Sequence, residues 1–243
     1  MFLALLSACG GGGGGGATPP PAVSQSAEGI WMGTETSTPI NQTFPIIGIV
    51  SPAGAFHFVE MTSGTQYVGS LSVSGSNMSG TAIGVGAPGW LFLNGLSTTT
   101  ATLTGSVQTG ISASGTYTAP NDSGTWSLTY SPIYDRPIPL SSLAKTWVGV
   151  IHNGAGNPTA TITVSAAGVV SGTDTLGCVY NGSASVVTPN KNLFSVSIST
   201  SVCHTGVKTY NGFSFLSDNA GAQNNMINFA ATDGTSTFAG QLL

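Results

Sequence analysis

Side chains that can move protons or hold a metal ion are few in this sequence and are spread along it. The 243 residues include three histidines, His57, His152 and His204, and eight Asp or Glu. No two histidines have the spacing that brings metal ligands together on a helix or across a hairpin. There is no Cys-x-x-Cys pair, no Gly-x-Ser-x-Gly elbow and no glycine-rich loop between a strand and a helix. The sequence therefore predicts no catalytic residue, metal site or cofactor, unless the fold brings its single carboxylates together.

Cysteine is the other reactive side chain, and Cys178 and Cys203 are placed for a disulfide. They flank two strand-like segments joined by a turn at residues 189–192, and the midpoint between them coincides with the middle of that turn. A symmetric hairpin would bring the two cysteines face to face, and in an exported protein we expect them to be oxidised. Cys203 is in step with the polar face of its strand, however, so the pairing requires a bulge in the hairpin.

The composition favours an exported all-β protein. Charged residues make up 5% of the chain and apolar residues 40%, whereas an average soluble domain has about 25% charged residues. The polar residues are mainly Ser, Thr, Asn and Gly, which suit strands and turns better than helices. The cations Arg136, Lys145, Lys191 and Lys208 are scattered and the net charge is −4. Neither nucleic acid nor an anionic lipid surface is therefore an expected partner.

The first nine residues end in Leu6-Ser7-Ala8-Cys9 after a short apolar run. This motif resembles the lipobox of bacterial lipoproteins, in which the cysteine becomes the first residue after cleavage and carries the lipid. The resemblance implies that residues 1–9 are a signal peptide and that Cys9 is lipidated, for example with palmitate. The apolar run lacks a preceding Lys or Arg, so we expect the natural start to lie upstream of Met1.

The residues after the lipobox predict a tether at the outer membrane. Gly10 follows the cysteine, which by resemblance to lipoproteins implies the outer membrane and not retention at the inner one. Residues 10–27 are rich in Gly and Pro and are predicted to form a flexible coil spanning roughly 20–25 Å. No later segment approaches the roughly 20 consecutive apolar residues of a membrane-spanning helix, so we expect attachment through lipid.

Beyond the tether the sequence contains two copies of one pattern. Three short motifs recur in the same order at offsets of 116, 114 and 113: residues 29–34 and 145–150, 50–54 and 164–168, and 67–70 and 180–183. A nearly constant offset indicates a duplicated domain. We therefore predict two β domains, at residues 28–131 and 143–243, joined by a stiff Pro-rich linker over residues 132–142.

Each copy divides into eight short strand-like segments separated by turn signals. In residues 193–202, Phe194, Val196, Ile198 and Val202 are predicted to face the core with serines opposite them. Alternation with one polar face is typical of antiparallel strands. Eight strands with hairpin-length connections predict an up-and-down meander closed into a small barrel, because closure removes exposed edges. A two-sheet sandwich is the alternative.

An isolated tryptophan beside glycine opens each copy, as Gly29-x-Trp31-x-Gly33 and as Trp147-x-Gly149. This feature resembles the first strand of lipocalin-like barrels and is similar to the barrel domains of surface lipoproteins of the transferrin-binding and factor-H-binding kinds. The resemblance implies a barrel that serves binding. In the second copy Lys145 replaces the leading glycine, and the later Thr-Asp-Tyr element of lipocalins is absent.

Binding is the function that these features favour. The loops at residues 84–94 and 218–225 are long enough to form recognition surfaces, and Trp90 and Phe92 in the first are the candidate ligand contacts, or else caps over the core. We expect a lipid-anchored, non-catalytic binding module on either face of the outer membrane, with a protein, a glycan or a small apolar molecule as ligand. A structural or assembly lipoprotein is the first alternative. A hydrolase with acidic residues brought together by the fold is the second.

Overall fold

The computed structural model describes residues 25–153, 156–203 and 206–243, so Cys9 and His204 lie outside the described residues. The described chain is mostly β-strand, and its strands form two closed antiparallel barrels of eight strands each. The predicted all-β class and tandem barrels are confirmed, and the sandwich alternative is wrong. Within the described ranges, no helix combines the length and the apolar character needed to cross a bilayer.

Barrel 1 is an up-and-down ring in which each strand pairs with the next and the last pairs with the first. At the closure Trp31 is opposite Tyr130. Successive residues of a strand face opposite sides, so every second side chain points into the barrel. The strands are β1 Gly29–Ser37, β2 Gln42–Val50, β3 Ala55–Glu60, β4 Gln66–Ser74, β5 Asn77–Val85, β6 Thr98–Gln108, β7 Ser112–Ala119 and β8 Asp122–Ser131.

Barrel 2 repeats this order of strands. Its ring closes where Ile151 pairs with Gly240 and His152 with Ala239. The closed ring again leaves no edge strand for unwanted pairing. The strands are β9 Thr146–His152, β10 Thr159–Val164, β11 Val169–Asp174, β12 Val179–Val186, β13 Phe194–Ser201, β14 Lys208–Asn219, β15 Ala222–Thr232 and β16 Thr237–Leu242.

The duplication found in the sequence reappears in matched hydrogen bonds. In each barrel the indole N–H of the first-strand tryptophan donates to the carbonyl four residues earlier, Trp31 to Ala27 and Trp147 to Leu143, at 2.9 Å in both cases. Both indoles are buried beside the point where the chain enters the barrel. The two copies therefore share the construction of this end.

The residues between the barrels pack against both of them. They form two 3₁₀ helices, Pro132–Asp135 and Leu140–Leu143. Tyr134 is buried in an apolar cluster drawn from the two barrels, whose other buried members are Ile30, Ile49, Leu193 and Phe215. The connection is thus packed, and buried residues of both barrels meet around Tyr134.

A buried asparagine secures this connection. The Asn192 amide donates to the carbonyls of Ile133 at 3.1 Å and Leu216 at 2.6 Å, and its oxygen accepts the Leu216 N–H at 2.9 Å. The Asn192 backbone N–H donates to the Tyr134 carbonyl at 2.9 Å. Because a buried amide is costly unless its donors and acceptor are satisfied, this network favours one arrangement of the linker on barrel 2.

Cys178 and Cys203 form a disulfide, which confirms the predicted pairing. The β12–β13 register pairs Val179 with Ser201, so its continuation sets Cys178 opposite Val202 and not opposite Cys203. Val202 has a φ of 56° and its side chain is 80% exposed. This break in the strand turns Cys203 toward its partner, and the prediction that Val202 faces the core is wrong.

Residues 218–225 are not the long loop that their polar composition predicts. β14 and β15 continue to Asn219 and Ala222, which pair with each other. The two residues between them have φ values of 49° and 82°, and two successive left-handed residues are typical of a type I′ hairpin. The Asn225 amide exchanges hydrogen bonds with the backbone of Asn219. These polar residues therefore stabilise a hairpin.

Candidate functional site

Barrel 1 contains a cavity of about 100 Å³ that is lined by all eight strands. Most of its wall is apolar, with Trp31 and Met78 among the larger side chains and alanines at positions 82, 101 and 113. One water needs about 10–15 Å³ of such space, and an apolar cavity of about 150 Å³ in another protein stays dry and binds benzene. The cavity of barrel 1 is therefore of the size of a single small ring or a short aliphatic group.

Barrel 2 has almost no corresponding space, since its internal void is about 30 Å³. The Phe238 ring occupies the interior, with its centroid 5.4 Å from that of Tyr180, 5.2 Å from Tyr210 and 5.1 Å from Phe229. Aromatic side chains packed at these distances fill a barrel efficiently. Barrel 2 is a filled core.

The strand registers show how the two interiors diverged. Glu35 and Ile151 occupy equivalent positions, four residues after the shared tryptophan. On the last strand of each barrel, Glu35 pairs with Trp126 and Ile151 pairs with Gly240. Two residues before these partners, Gly124 of barrel 1 therefore corresponds to Phe238 of barrel 2. The filled barrel thus has isoleucine and phenylalanine where the hollow barrel has a carboxylate and a glycine.

One end of the cavity is polar and rich in hydrogen-bond acceptors. Tyr67 donates its phenol hydrogen to Glu35 Oε1 at 2.6 Å. Asp122 accepts from Tyr117 at 3.2 Å and from Ser37 at 2.7 Å. The carboxylates thus occupy these hydroxyl donors, and Glu35 Oε2 receives no hydrogen bond from any residue in the described ranges. A ligand that reaches this end meets an unused acceptor.

Burial raises the pKa of Glu35 to about 7, and the nearby charges of Asp122 and Glu60 act in the same direction. The hydrogen bond from Tyr67 lowers it only in part. Burial, together with the adjacent Glu35, raises the pKa of Tyr67 well above its usual value, so the phenol remains a donor. Near neutral pH, Glu35 is poised between its protonated and ionised forms.

The connection between β5 and β6 lies over this polar end. Phe92 lines the cavity, and its ring centroid is 6.3 Å from that of Tyr67. Trp90 is 39% exposed and makes an edge contact with Phe44 at 6.3 Å. Of the two candidate contacts from the sequence, Phe92 thus faces the cavity and Trp90 lies on the outer side of the loop. Their role toward a ligand remains a prediction.

A second space, of about 400 Å³, is an open groove between the outer faces of the two barrels. Phe213, Phe215 and His152 from barrel 2 meet His57 from barrel 1 there. His57 is 3% exposed and its Nε2 lies 2.5 Å from Gln66 Oε1. Burial lowers the pKa of His57 to about 4, so this histidine is a neutral part of the contact between the barrels.

The fold brings together carboxylates that are far apart in the sequence. Glu35 and Asp122 are on neighbouring strands at the ring closure and both line the cavity. The inward position of Glu35 could be predicted from the sequence, because it lies four residues after Trp31 and alternate residues of a strand face the same side. The described residues contain no group of three His, Cys, Asp or Glu that would hold a metal ion.

Comparison with known proteins assigns this chain to no family. No protein-family model matches the chain, and no curated protein matches its sequence. Among solved structures, isotype 1 transferrin binding protein B from serogroup B Neisseria meningitidis is similar at 10% identity and a TM-score of 0.27, over 83% of this chain and 58% of that one. The chain thus spans less than two thirds of that protein, and the barrel assignment stands on the strand registers alone.

Proposed function

We propose that this chain is a non-catalytic binding protein of the bacterial cell envelope whose barrel 1 takes a small apolar ligand. The observation that carries the proposal is the cavity of about 100 Å³ inside barrel 1, next to a duplicate barrel whose interior is filled. Empty apolar space lowers stability by the contacts that are lost. A barrel that keeps such space beside a copy without it is best explained by a ligand that occupies it.

The loop over the polar end completes this site. Phe92 lines the cavity from this loop, and Trp90 with its exposed neighbours Leu91, Leu93 and Leu96 forms the outer surface of the same loop. We propose that the ligand enters past this loop, since displacement of Phe92 opens the cavity without breaking any strand pair. Trp90 and Phe92 are then the residues that a ligand touches first.

Anchoring at Cys9 is the second part of the proposal. The motif Leu6-Ser7-Ala8-Cys9 and the Gly/Pro-rich residues 10–27 support a lipid-anchored protein at the outer membrane. Labelled palmitate should be incorporated when the gene is expressed from its natural start. A Cys9→Ser variant should remain unlabelled, and a wild-type protein without label would remove the envelope assignment.

A hydrolase that uses Glu35 and Asp122 is the competing function. A carboxyl whose pKa is raised to about 7 is suited to donate a proton to a leaving group. Glycosidic bonds, however, are cleaved between sugar rings held on both sides of the carboxyl pair. A cavity of about 100 Å³ is smaller than the roughly 300–1,000 Å³ of pockets that enclose ligands of that size. The volume favours a binder of small molecules.

Calorimetry with benzyl alcohol tests the binding function. We expect saturable binding to the wild-type protein and its loss in Ala113→Leu, which fills the cavity from β7. The matched control is Ala53→Leu, in an exposed turn of the same barrel, which should bind like wild type. Binding that survives Ala113→Leu, or no binding to any of the three proteins, would leave a structural or assembly role as the better account.

A further inference from the structure

The polar end of the cavity also indicates the chemical class of the ligand, an inference that rests on the proposed function of barrel 1. We infer that barrel 1 selects a small apolar molecule carrying a protonated amine, with Glu35 as the acceptor of its N–H groups and Tyr67 as the residue that holds the carboxylate in place. Three independent features of the molecule support this selection: the distribution of charge, the use of the hydroxyl donors and the prior burial of the carboxylate.

The charges of the protein are divided unequally between its halves. Residues 28–131 contain four acids, Glu28, Glu35, Glu60 and Asp122, and no Lys or Arg. Residues 132–243 contain four acids and four cations. The whole net charge of −4 therefore belongs to barrel 1. A cavity with low-dielectric walls inside a uniformly negative barrel attracts cations and repels anions.

The four cations of the second half are all engaged away from the cavity. Three of them form ion pairs, Arg136 with Asp218 at 2.6 Å, Lys191 with Asp135 at 2.7 Å and Lys208 with Asp233 at 3.2 Å. The fourth, Lys145, lies 3.8 Å from the centre of the Trp147 ring. None of these cations lines the cavity of barrel 1, so a ligand has to bring its own positive charge.

The hydrogen bonds at the polar end point in the same direction. The carboxylates of Glu35 and Asp122 already accept the hydroxyl hydrogens of Tyr67, Tyr117 and Ser37. What remains for a ligand is the free oxygen of Glu35, which accepts but does not donate when ionised. An ammonium group offers three donors to such a site, whereas a carboxylate ligand would face two like charges with no donor to satisfy it.

Burial of an ion pair is costly because both charges lose water. In barrel 1 the Glu35 side chain is already partly buried in the absence of ligand, and Tyr67 holds it by a hydrogen bond of 2.6 Å. Most of the remaining desolvation on binding falls on the amine, so the site is preorganised for a cation. A neutral hydroxyl can also donate a hydrogen bond to the carboxylate, but an ammonium adds a full opposite charge to that hydrogen bond. We therefore expect a preference of about tenfold over a neutral ligand of the same shape.

Affinity for the amine should rise as Glu35 ionises. The groups that act on Glu35 from the surrounding strands are Tyr67 on β4, Asp122 on β8 and Glu60 on β3. Tyr117 on β7 is neutral, because burial and Asp122 raise its pKa. Glu35 is therefore the group that titrates near pH 7, and amine binding should strengthen by about tenfold or more between pH 5 and pH 8. A neutral ligand such as benzyl alcohol should show a much smaller rise, because it gains only a stronger hydrogen-bond acceptor and no attraction between opposite charges.

The experiment compares three probes of one shape, benzylamine, benzyl alcohol and benzoate, by calorimetry on the purified full chain at pH 8. We expect benzylamine to bind about tenfold or more tightly than benzyl alcohol, and benzoate to bind most weakly. If none of the three binds, the proposed function itself fails. If benzyl alcohol or benzoate binds as tightly as benzylamine, the cavity is a ligand site but the inferred selectivity is wrong.

Two variants separate a direct contact from the general field of the barrel. Glu35→Gln keeps the shape of the side chain and should remove the preference for benzylamine and its dependence on pH, while benzyl alcohol still binds. Glu28→Gln makes the same change of net charge in the same barrel at a residue that does not line the cavity, and should keep the preference. Equal losses in the two variants would overturn the assignment of Glu35.

Discussion

Barrels 1 and 2 arise from one repeated sequence pattern but differ in what their interiors hold. Where barrel 1 carries Glu35 and Gly124, barrel 2 carries Ile151 and Phe238 at the equivalent positions. The first barrel keeps a cavity of about 100 Å³ and the second a void of about 30 Å³. The charges differ as well, since barrel 1 has acids without cations and the rest of the chain is balanced.

The difference between the two interiors separates the features that both barrels need in order to fold from the features that only one of them has. The buried tryptophan and its hydrogen bond to the carbonyl four residues earlier are kept in both copies, so they serve the barrel. The interior at the opposite end is free to change, because closure of the ring depends on backbone pairing and not on particular side chains. One copy therefore has a filled interior and the other keeps a cavity.

Phe238→Ala should have the largest effect, because it removes the side chain that fills barrel 2. The ring is fully buried, and such truncations cost about 3–5 kcal/mol of unfolding free energy. Urea unfolding of the two proteins measures the loss. If the filled interior is what distinguishes barrel 2, the variant should also gain a second site for benzyl alcohol.

Phe92→Ala is the matched control in the hollow barrel. Phe92 is only partly buried at the mouth of the cavity, so we expect a loss of about 1 kcal/mol and faster exchange of the ligand. If Phe238→Ala cost no more than Phe92→Ala, barrel 2 would not depend on its aromatic core.

Loss of the disulfide ranks second and should act on barrel 2 alone. The bond closes a separation of 25 residues, for which chain-entropy models give roughly 3–4 kcal/mol. The double variant Cys178→Ala/Cys203→Ala should unfold at lower urea concentration while barrel 1 still binds benzyl alcohol. Alkylation of the native protein without reductant should modify neither thiol, and two modified thiols would contradict the bond.

The disulfide also shows how much of the structure can be predicted from the sequence. Strand positions, the closed barrels and the cysteine pairing follow from local alternation and symmetry. The mismatch of Cys203 with the apolar face of its strand predicts an irregularity in the hairpin, but it does not place that irregularity at Val202, where the structure has a single left-handed residue. The hairpin at residues 218–225 is not predicted either: Asp, Asn and Gln are typical of loops, yet here the Asn225 amide bonds to the backbone of Asn219 across the two strands.

The candidate site was harder to predict than the fold because it is non-local. Glu35 and Tyr67 meet only after the chain has passed through three hairpins, and Asp122 joins them only when the ring closes. Trp90 and Phe92 were singled out because they stand in one loop, but the loop alone does not show that Phe92 points inward and Trp90 outward. Whether a barrel is hollow or filled depends on side chains from all eight strands together.

Glu35→Gln should change stability by a smaller amount that depends on pH. The folded protein raises the pKa of Glu35 from 4.5 to about 7, so between these values it holds a proton that the unfolded chain has released. The contribution of protonated Glu35 to the free energy of unfolding is fully present below pH 4.5 and is lost as the pH rises through 7. This loss of stability amounts to about 3 kcal/mol at most. The variant should therefore match wild type at pH 4.5 and exceed its stability at pH 8.5.

Urea unfolding of both proteins at several pH values checks this difference. His57 acts in the opposite direction, since its lowered pKa of about 4 means that stability is lost as the pH falls below 6.5. It is present in both proteins and cancels when they are compared at one pH. Glu28→Gln makes the same change of net charge outside the cavity and is the control, against which the Glu35→Gln difference is compared at each pH. If the Glu35→Gln difference did not grow between pH 4.5 and pH 8.5, Glu35 would not be destabilised by burial of its charge.

Lys191→Gln should have the smallest effect and tests the balanced charges of the second half. The Lys191–Asp135 pair spans 2.7 Å, with side chains 30% and 52% exposed. Exposed pairs of this kind contribute about 0–1 kcal/mol, and salt screens them. We expect the loss in urea unfolding to disappear at high salt, whereas the Glu35→Gln difference at pH 8.5, which comes from burial, should persist. If both effects vanished in salt, surface charge and not the hollow interior would distinguish the two barrels.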